Sequence, residues 1–384
     1  MRCDVAVVGG GPVGCFTAAN MSRSVHKVVL EEHERVGVPE QCAGLIAPRV
    51  VEMGKANAAI INRIDGAVIH FPSGREMRLK GEETKAYVVD RRRFDESCLD
   101  QALANGAECL TGHRFLHLRR TATGMVLRLE DGKEMTARLA IGADGYRSRL
   151  GQEAGLSPPR EYVRGIQVDL ERSMEDQQAV DVWLGREIAP GFFAWRIPCG
   201  DRTRVGLCVA DGTPSAYLKR LIKLAGHEND KRVRLYSGIV PIGMVRSTVA
   251  DNVMIVGDAA GQVKPISGGG LYPGLTAAGM AGKVASDALE ADDLSTNYLR
   301  RYEKAWKAEL GKGLDRGYRV RKAFLRMDDD ALDLAGRLMD TEEARGVLSK
   351  GDIDHPTAIA RDLLGAAPGL MRFAPQLLAS MFSR

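Results

Sequence analysis

An apolar run, Cys3-Asp4-Val5-Ala6-Val7-Val8, breaks into Gly9-Gly10-Gly11-Pro12-Val13-Gly14, and a small-residue helical pattern follows from Val13. This stretch demands a buried parallel strand that turns at once into a helix N-terminus. Gly9 permits the tight turn, Gly11 lets a pyrophosphate approach the backbone, and Gly14 lets the helix lie close on the strand. The helix end offers free N–H groups and a partial positive charge, which suit a diphosphate. The next strand, Lys27-Val28-Val29-Leu30, ends in Glu31, 22 residues after Gly9. A carboxylate at that place accepts hydrogen bonds from an adenosine ribose.

The 384 residues suffice for two or three domains, at about 150 residues each. A formal net charge of +4 is too small to argue for a nucleic-acid partner. The seven cysteines are scattered and lack CxxC spacing, so neither a disulfide framework nor a metal site is expected. His113 and His117 read as surface or structural residues, and no GxSxG or HExxH motif appears. No apolar run reaches the roughly 18 residues of a membrane span, and no leader pattern precedes the first strand, so a cytoplasmic location is expected.

Further along, Val36 to Pro48 reads as a loop carrying Gln41-Cys42-Ala43-Gly44. Gly66 to Leu79 reads as a hairpin around Pro72-Ser73-Gly74, and Asp90 opens a helix that stops at Asn105-Gly106. Alternating segments at 113–120, 124–130 and 133–139 predict a small antiparallel meander. Leu139 to Gly145 predicts a return to a buried strand ending in Asp144-Gly145. Segments at 162–170, 179–184, 192–197, 204–209 and 234–240 predict a second sheet, interrupted by a helix from about Ser215 to Leu224. Asn252 to Ala260 is another buried strand, ending in Gly257-Asp258. After Gly268-Gly269-Gly270-Leu271, a small-residue helix is expected from about Thr276. Residues 300–326 carry ten Lys/Arg against three acids, and residues 328–343 are acidic instead.

Three strand ends converge in this reading: the glycine turn with Glu31, Asp144-Gly145, and Gly257-Asp258. Ligands of doubly wound sheets bind beyond such ends. A mononucleotide needs only the first, whereas a dinucleotide with a sugar-alcohol chain uses all three, with Asp258 on the ribityl hydroxyls. That ligand is FAD. Gly268-Gly269-Gly270 lets backbone pass flat beneath a planar ring, and the following helix aims its positive end at the N1/O2 side.

The order GxGxxG, acid, Asp90-Arg91-x-x-Phe94-Asp95, Asp-Gly and Gly-Asp resembles the FAD superfamily shared by aromatic hydroxylases, flavin halogenases and geranylgeranyl reductases, over residues 1–300. Gln41-Cys42-Ala43-Gly44 is similar to the cysteine loop of the geranylgeranyl reductases. Phe193-x-Trp195-x-Ile197-Pro198, followed by Gly206, resembles their YxWxFP…GxG motif, with Phe193 for the tyrosine, Ile197 for the phenylalanine and Cys208 for the second glycine. The same stretch also echoes the WxWxIP of halogenases. Arg149 follows Ser148 directly, and the usual later arginine position holds Gly151.

The resemblance implies an α/β fold: a Rossmann-like FAD-binding domain of the glutathione reductase/p-hydroxybenzoate hydroxylase type, an antiparallel-sheet substrate domain and C-terminal helices. The FAD-binding domain is expected over 1–65, 80–160 and 246–299, the substrate domain over 66–79 and 161–245, and the helical region over 300–384. Cofactor contacts are implied for Gly9, Gly11, Val13, Gly14, Glu31, Cys42, Ala43, Arg91, Phe115, Asp258, Gly270 and Leu271. Phe193 and Trp195 are expected to line an apolar substrate cavity. Cys42 is the expected catalytic residue, by positioning substrate or assisting proton delivery, although it could equally be a loop cysteine packed beside the ring.

The activity implied is reduction of isoprenoid double bonds in a prenyl lipid. The alternatives are an oxygen-using monooxygenase or halogenase, and a flavin redox partner without lipid chemistry. No second GxGxxG follows a strand, so electrons are expected from outside, from a ferredoxin-like protein or a reduced nicotinamide. The basic stretch 300–326 is either simply exposed or a peripheral membrane contact.

Overall fold

The computed structural model describes residues 1–121 and 124–376. The opening strand Arg2–Val8 lies inside an eight-stranded sheet. It pairs in parallel with Lys27–Leu30 on one side and with Glu134–Gly142 on the other. Val253–Ile255 and Glu108–Leu110 extend the parallel set outward. Val5, Val7, Leu139 and Ile141 are wholly buried, as a strand covered on both faces requires. The helices Pro12–Ala19, Arg91–Ala104 and Leu271–Glu290 cover one face. The second of these starts where Asp90 accepts the Arg93 N–H at 3.0 Å, a cap worth about 1 kcal/mol.

Two predicted segments prove to be one. Glu134–Gly142 pairs antiparallel with Gly124–Leu129 through Glu134 to Ala137, then gives the same edge to Val253–Ile255 through Ala140 to Gly142. Its first half therefore alternates and its second half is uniformly apolar, which imitates two strands. Two further expectations are corrected. The predicted loop 36–48 contains the strand Leu45–Ile46, which pairs with Ala86–Val89 and so joins Ile60–Ile64 in a small third sheet. The glycine-loop helix starts at Leu271 rather than Thr276, because Pro273 falls in its first turn, where a missing N–H costs nothing.

The second sheet has seven strands, in the order Arg232–Ile242, Glu161–Leu170, Arg202–Val209, Ala194–Cys199, Ala179–Trp183, Gly66–His70 and Glu76–Lys80. Period-two alternation sorts its side chains. Val168, Leu170, Val205, Leu207 and Val209 face the helix Pro214–Leu224. Gln167, Asp169, Trp195, Arg204, Gly206, Cys208, Tyr236 and Gly238 take the opposite face, toward the nucleotide-type sheet.

The position 299/300, expected to begin the C-terminal region, falls inside the helix Thr296–Trp306, whose Leu299, Tyr302 and Trp306 are wholly buried in the first core. A π-helical turn, Lys307–Gly311, joins this helix to Lys312–Phe324. No helix among the described residues is long and apolar enough to cross a membrane.

Candidate functional site

The glycine turn is built as its spacing demands. Gly9 has φ +107°, and a Cβ there would sit 2.3 Å from the Ala143 carbonyl oxygen. A Cβ on Gly14 would sit 2.0 Å from the Gly9 oxygen, so helix and turn are in backbone contact. Gly11, by contrast, would meet nothing within 4 Å. Among the described residues, its missing side chain leaves open space at the N-terminal end of the helix. Glu31 accepts the Gly10 N–H at 2.8 Å with one oxygen, and the other accepts the His33 N–H at 2.9 Å. Phe115 is buried at the start of its strand, near the same end, where the His113 N–H reaches the Glu31 carbonyl.

Val13 fills the gap between Gly257 and Gly274, with its methyls 2.9 and 2.8 Å from the Cβ positions there. This wedges the first helix against both the Gly257-Asp258 turn and the helix beginning at Leu271. Asp258 lies under Gly270, its Oδ1 2.8 Å from where a Cβ would be. Burial pushes the Asp258 carboxyl up to about 6, with the charge of Arg91 opposing. Arg91 itself is paired with Asp95 at 2.8 Å and stands beside Cys42.

The loop around Cys42 is held residue by residue. Glu40 pairs with Arg234 at 2.7 Å, and Gln41 packs over Gly238. The Cys42 carbonyl accepts from Gln167 Nε2 at 2.8 Å, and the Ala43 carbonyl accepts from Arg204 Nη1 at 3.0 Å. Arg204 is fixed in turn by a bidentate pair with Asp169 at 2.7 and 2.9 Å, and the Tyr236 hydroxyl donates to Asp169 at 2.6 Å. Both ionic side chains are 6% exposed, so the network is a buried one. Cys42 is half-buried, whereas Cys3 and Cys208 are buried.

Beside this loop the sheet face is apolar and aromatic. Phe192 and Phe193 stack with centroids 4.6 Å apart, and Phe193 meets Trp195 edge-on at 6.0 Å. Trp195 lies over Gly206, where a Cβ would come within 2.8 Å of its indole and 2.4 Å of Gln167. Cys208 packs 3.1 Å from the Cβ position on Gly165, and a Cβ on Gly268 would meet Phe192 at 3.2 Å. Gln167 Oε1 and Trp195 Nε1, both buried here, have no partner among the described residues. Ile353, Ala43, Leu45 and Trp195 pack against one buried cluster that includes Ile64, Val88 and Ile197. The Ile353 carbonyl accepts from Lys264, which also pairs with Asp354 at 2.7 Å.

The chain matches the family described as "FAD binding domain" over residues 2–216. It is 32% identical to digeranylgeranylglycerophospholipid reductase 2 of Methanopyrus kandleri, covering 98% of this chain and 100% of that one. It is 33% identical to digeranylgeranylglycerophospholipid reductase of Methanothrix thermoacetophila, covering 98% of each. The chain belongs to the FAD-dependent geranylgeranyl reductase family. A geranylgeranyl bacteriochlorophyll reductase-like protein from Thermoplasma acidophilum shares the fold, with a TM-score of 0.86 and 24% identity over 98% of this chain and 99% of that one.

As a family member this reductase is a flavoprotein, and its residues fit FAD. The open cradle at Gly11, the carboxylate of Glu31 and the half-buried Asp258 beneath Gly270 could hold the diphosphate, ribose and ribityl parts. Asp169, Arg204, Gln167 and Tyr236 were absent from the sequence reading. The signal available is a pair of opposite charges, Asp169 and Arg204, on two segments predicted to be strands of one sheet; they are cross-strand partners.

Proposed function

We propose that this reductase hydrogenates carbon–carbon double bonds of isoprenoid chains carried by membrane lipids. The observation that carries the reading is the Cys42 loop, pinned by two carbonyls to an aromatic sheet face beside the flavin glycines. The names of its relatives support the same substrate class. When bound, FAD supplies the hydride. The rest falls to the chain. Phe192, Phe193 and Trp195 exclude water and hold an apolar chain flat. Gln167 and Arg204 fix Cys42 so that its thiol delivers a proton to, or positions, the alkene carbon opposite the one receiving hydride. An unactivated alkene is a poor hydride acceptor, so placement and dryness contribute much of the rate. Electrons come from an external donor, a ferredoxin-like protein or a reduced nicotinamide.

Anaerobic incubation of the chemically reduced holoenzyme with geranylgeranyl lipids tests this. Mass spectrometry should show two hydrogens gained per reduced bond, and Cys42→Ser should slow the gain while retaining flavin. Oxygen-dependent product formation with no gain of hydrogen on any prenyl lipid would refute it.

A further inference from the structure

The aromatic face does not end in apolar residues. Beyond Phe192 it meets the helix Lys312–Phe324, and there the basic stretch is not one exposed surface as the sequence allowed. Arg321 is 3% exposed, with its guanidinium over the Phe192 ring at 5.4 Å. It donates to the Gly191 carbonyl at 2.9 Å, but its Nε makes no hydrogen bond among the described residues and stands 3.5 Å from Glu161. Glu161 is already shared: the Tyr318 hydroxyl donates to it at 2.6 Å, and Lys322 pairs with it at 2.8 Å. Tyr318 is flanked by Arg160 at 5.2 Å and Lys322 at 5.5 Å. The other acid at this corner, Asp315, is taken by Arg319 at 2.7 Å.

Two cations thus share one carboxylate, and a third, Arg160, lies over the ring of the tyrosine that donates to it. They grade from exposed Arg160 through partly buried Lys322 to buried Arg321. Burial lowers the Arg321 pKa despite Glu161, so the carboxylate under-compensates this charge. A small cleft lined by Arg160, Gly243, Val263, Pro265, Tyr318 and the Arg319-paired Asp315 opens at this corner. Its Val263 reaches the flavin loop, 3.3 Å from the Cβ position on Gly270. An apolar face that ends in a surplus of cations matches an amphipathic anion.

We propose that Arg160, Tyr318, Arg321 and Lys322 bind the phosphate head of the isoprenoid substrate while its chain runs along Phe192, Phe193 and Trp195. The inference rests on the isoprenoid reading above, and it assigns the direction in which the chain enters. Planar guanidinium forks and an ammonium suit phosphate oxygens.

The test is equilibrium binding to the FAD-loaded protein, read by tryptophan fluorescence. The ligands are geranylgeranyl monophosphate, uncharged geranylgeraniol and inorganic phosphate. The monophosphate should bind at least about tenfold more tightly than the alcohol. The double variant R160Q/K322Q should erase that difference and move alcohol binding less than about twofold. Inorganic phosphate should compete with the monophosphate and not with the alcohol. A free-phosphate site unrelated to the lipid would show phosphate binding without that competition, and would overturn the proposal. Equal affinity of the two prenyl ligands overturns the head-group site and leaves the isoprenoid reading standing. If neither prenyl ligand binds, both fall.

Discussion

Gly11→Ala separates the ligand's demands on the glycine turn from those of the fold. Gly11 has φ −66° and ψ 174°, which any residue adopts, and a Cβ there meets no protein atom within 4 Å. The apo-protein should therefore keep its stability to within about 1 kcal/mol. A methyl group in that space instead displaces a diphosphate from the N–H groups at the helix end. One lost charge-assisted hydrogen bond is worth roughly 1.5–3 kcal/mol, so FAD affinity should fall about 10- to 150-fold. Gly14→Ala is the contrast. Its Cβ would lie 2.0 Å from the Gly9 oxygen, so the helix must lift from the turn at more than the roughly 1–3 kcal/mol of ordinary overpacking. FAD titration of apo-protein by flavin fluorescence, with chemical denaturation of the same preparation, reads both quantities. Unchanged FAD affinity in Gly11→Ala would refute the placement of the diphosphate. Loss of apo stability equal to that of Gly14→Ala would refute the claim that the space is open.

Two other outcomes follow from buried charge. A carboxyl at about 6 holds a proton in the folded apo-protein that the unfolded chain has already lost, so the Asp258 penalty is full above pH 6 and vanishes below the ordinary carboxylate range. Apo stability should rise as pH falls from 7 to 4 by no more than about 3 kcal/mol from this group, and Asp258→Asn should remove that part of the slope in pH-dependent denaturation. Asp169→Asn strands the buried Arg204 guanidinium and should cost about 3–5 kcal/mol, with Cys42 alkylation by iodoacetamide accelerated as the loop loosens; unchanged stability and alkylation would show that the pair does not hold the loop.

Much of this molecule was legible in its residues because its strands obey simple periods. The alternation of 162–170 and 204–209 marks strands of a second sheet, and the glycine turn together with the strand ending in Glu31 marks a nucleotide site. What could not be read was pairing at a distance. Gln167 meets the carbonyl of Cys42, 125 residues away, and Arg204 meets that of Ala43, 161 residues away. Neither contact leaves a local pattern. Leu45–Ile46 was hidden for a related reason, since two residues between a glycine and a nearby proline form a strand only because Ala86–Val89 supplies the partner.

The π-helical turn at Lys307–Gly311 also sets the phase of everything beyond it. Buried positions 302, 306, 310 and 314 advance in steps of four, ahead of an ordinary helical repeat of about 3.6, and the widened turn takes up the difference. One rod can thereby lock Trp306 into the floor of the dinucleotide sheet and still present Arg321 to the far aromatic wall. Trimming a single residue from that turn would rotate the outer half by roughly a quarter revolution, turning Arg321 away from Phe192 and Glu161 while the ties of the Cys42 loop stay in place.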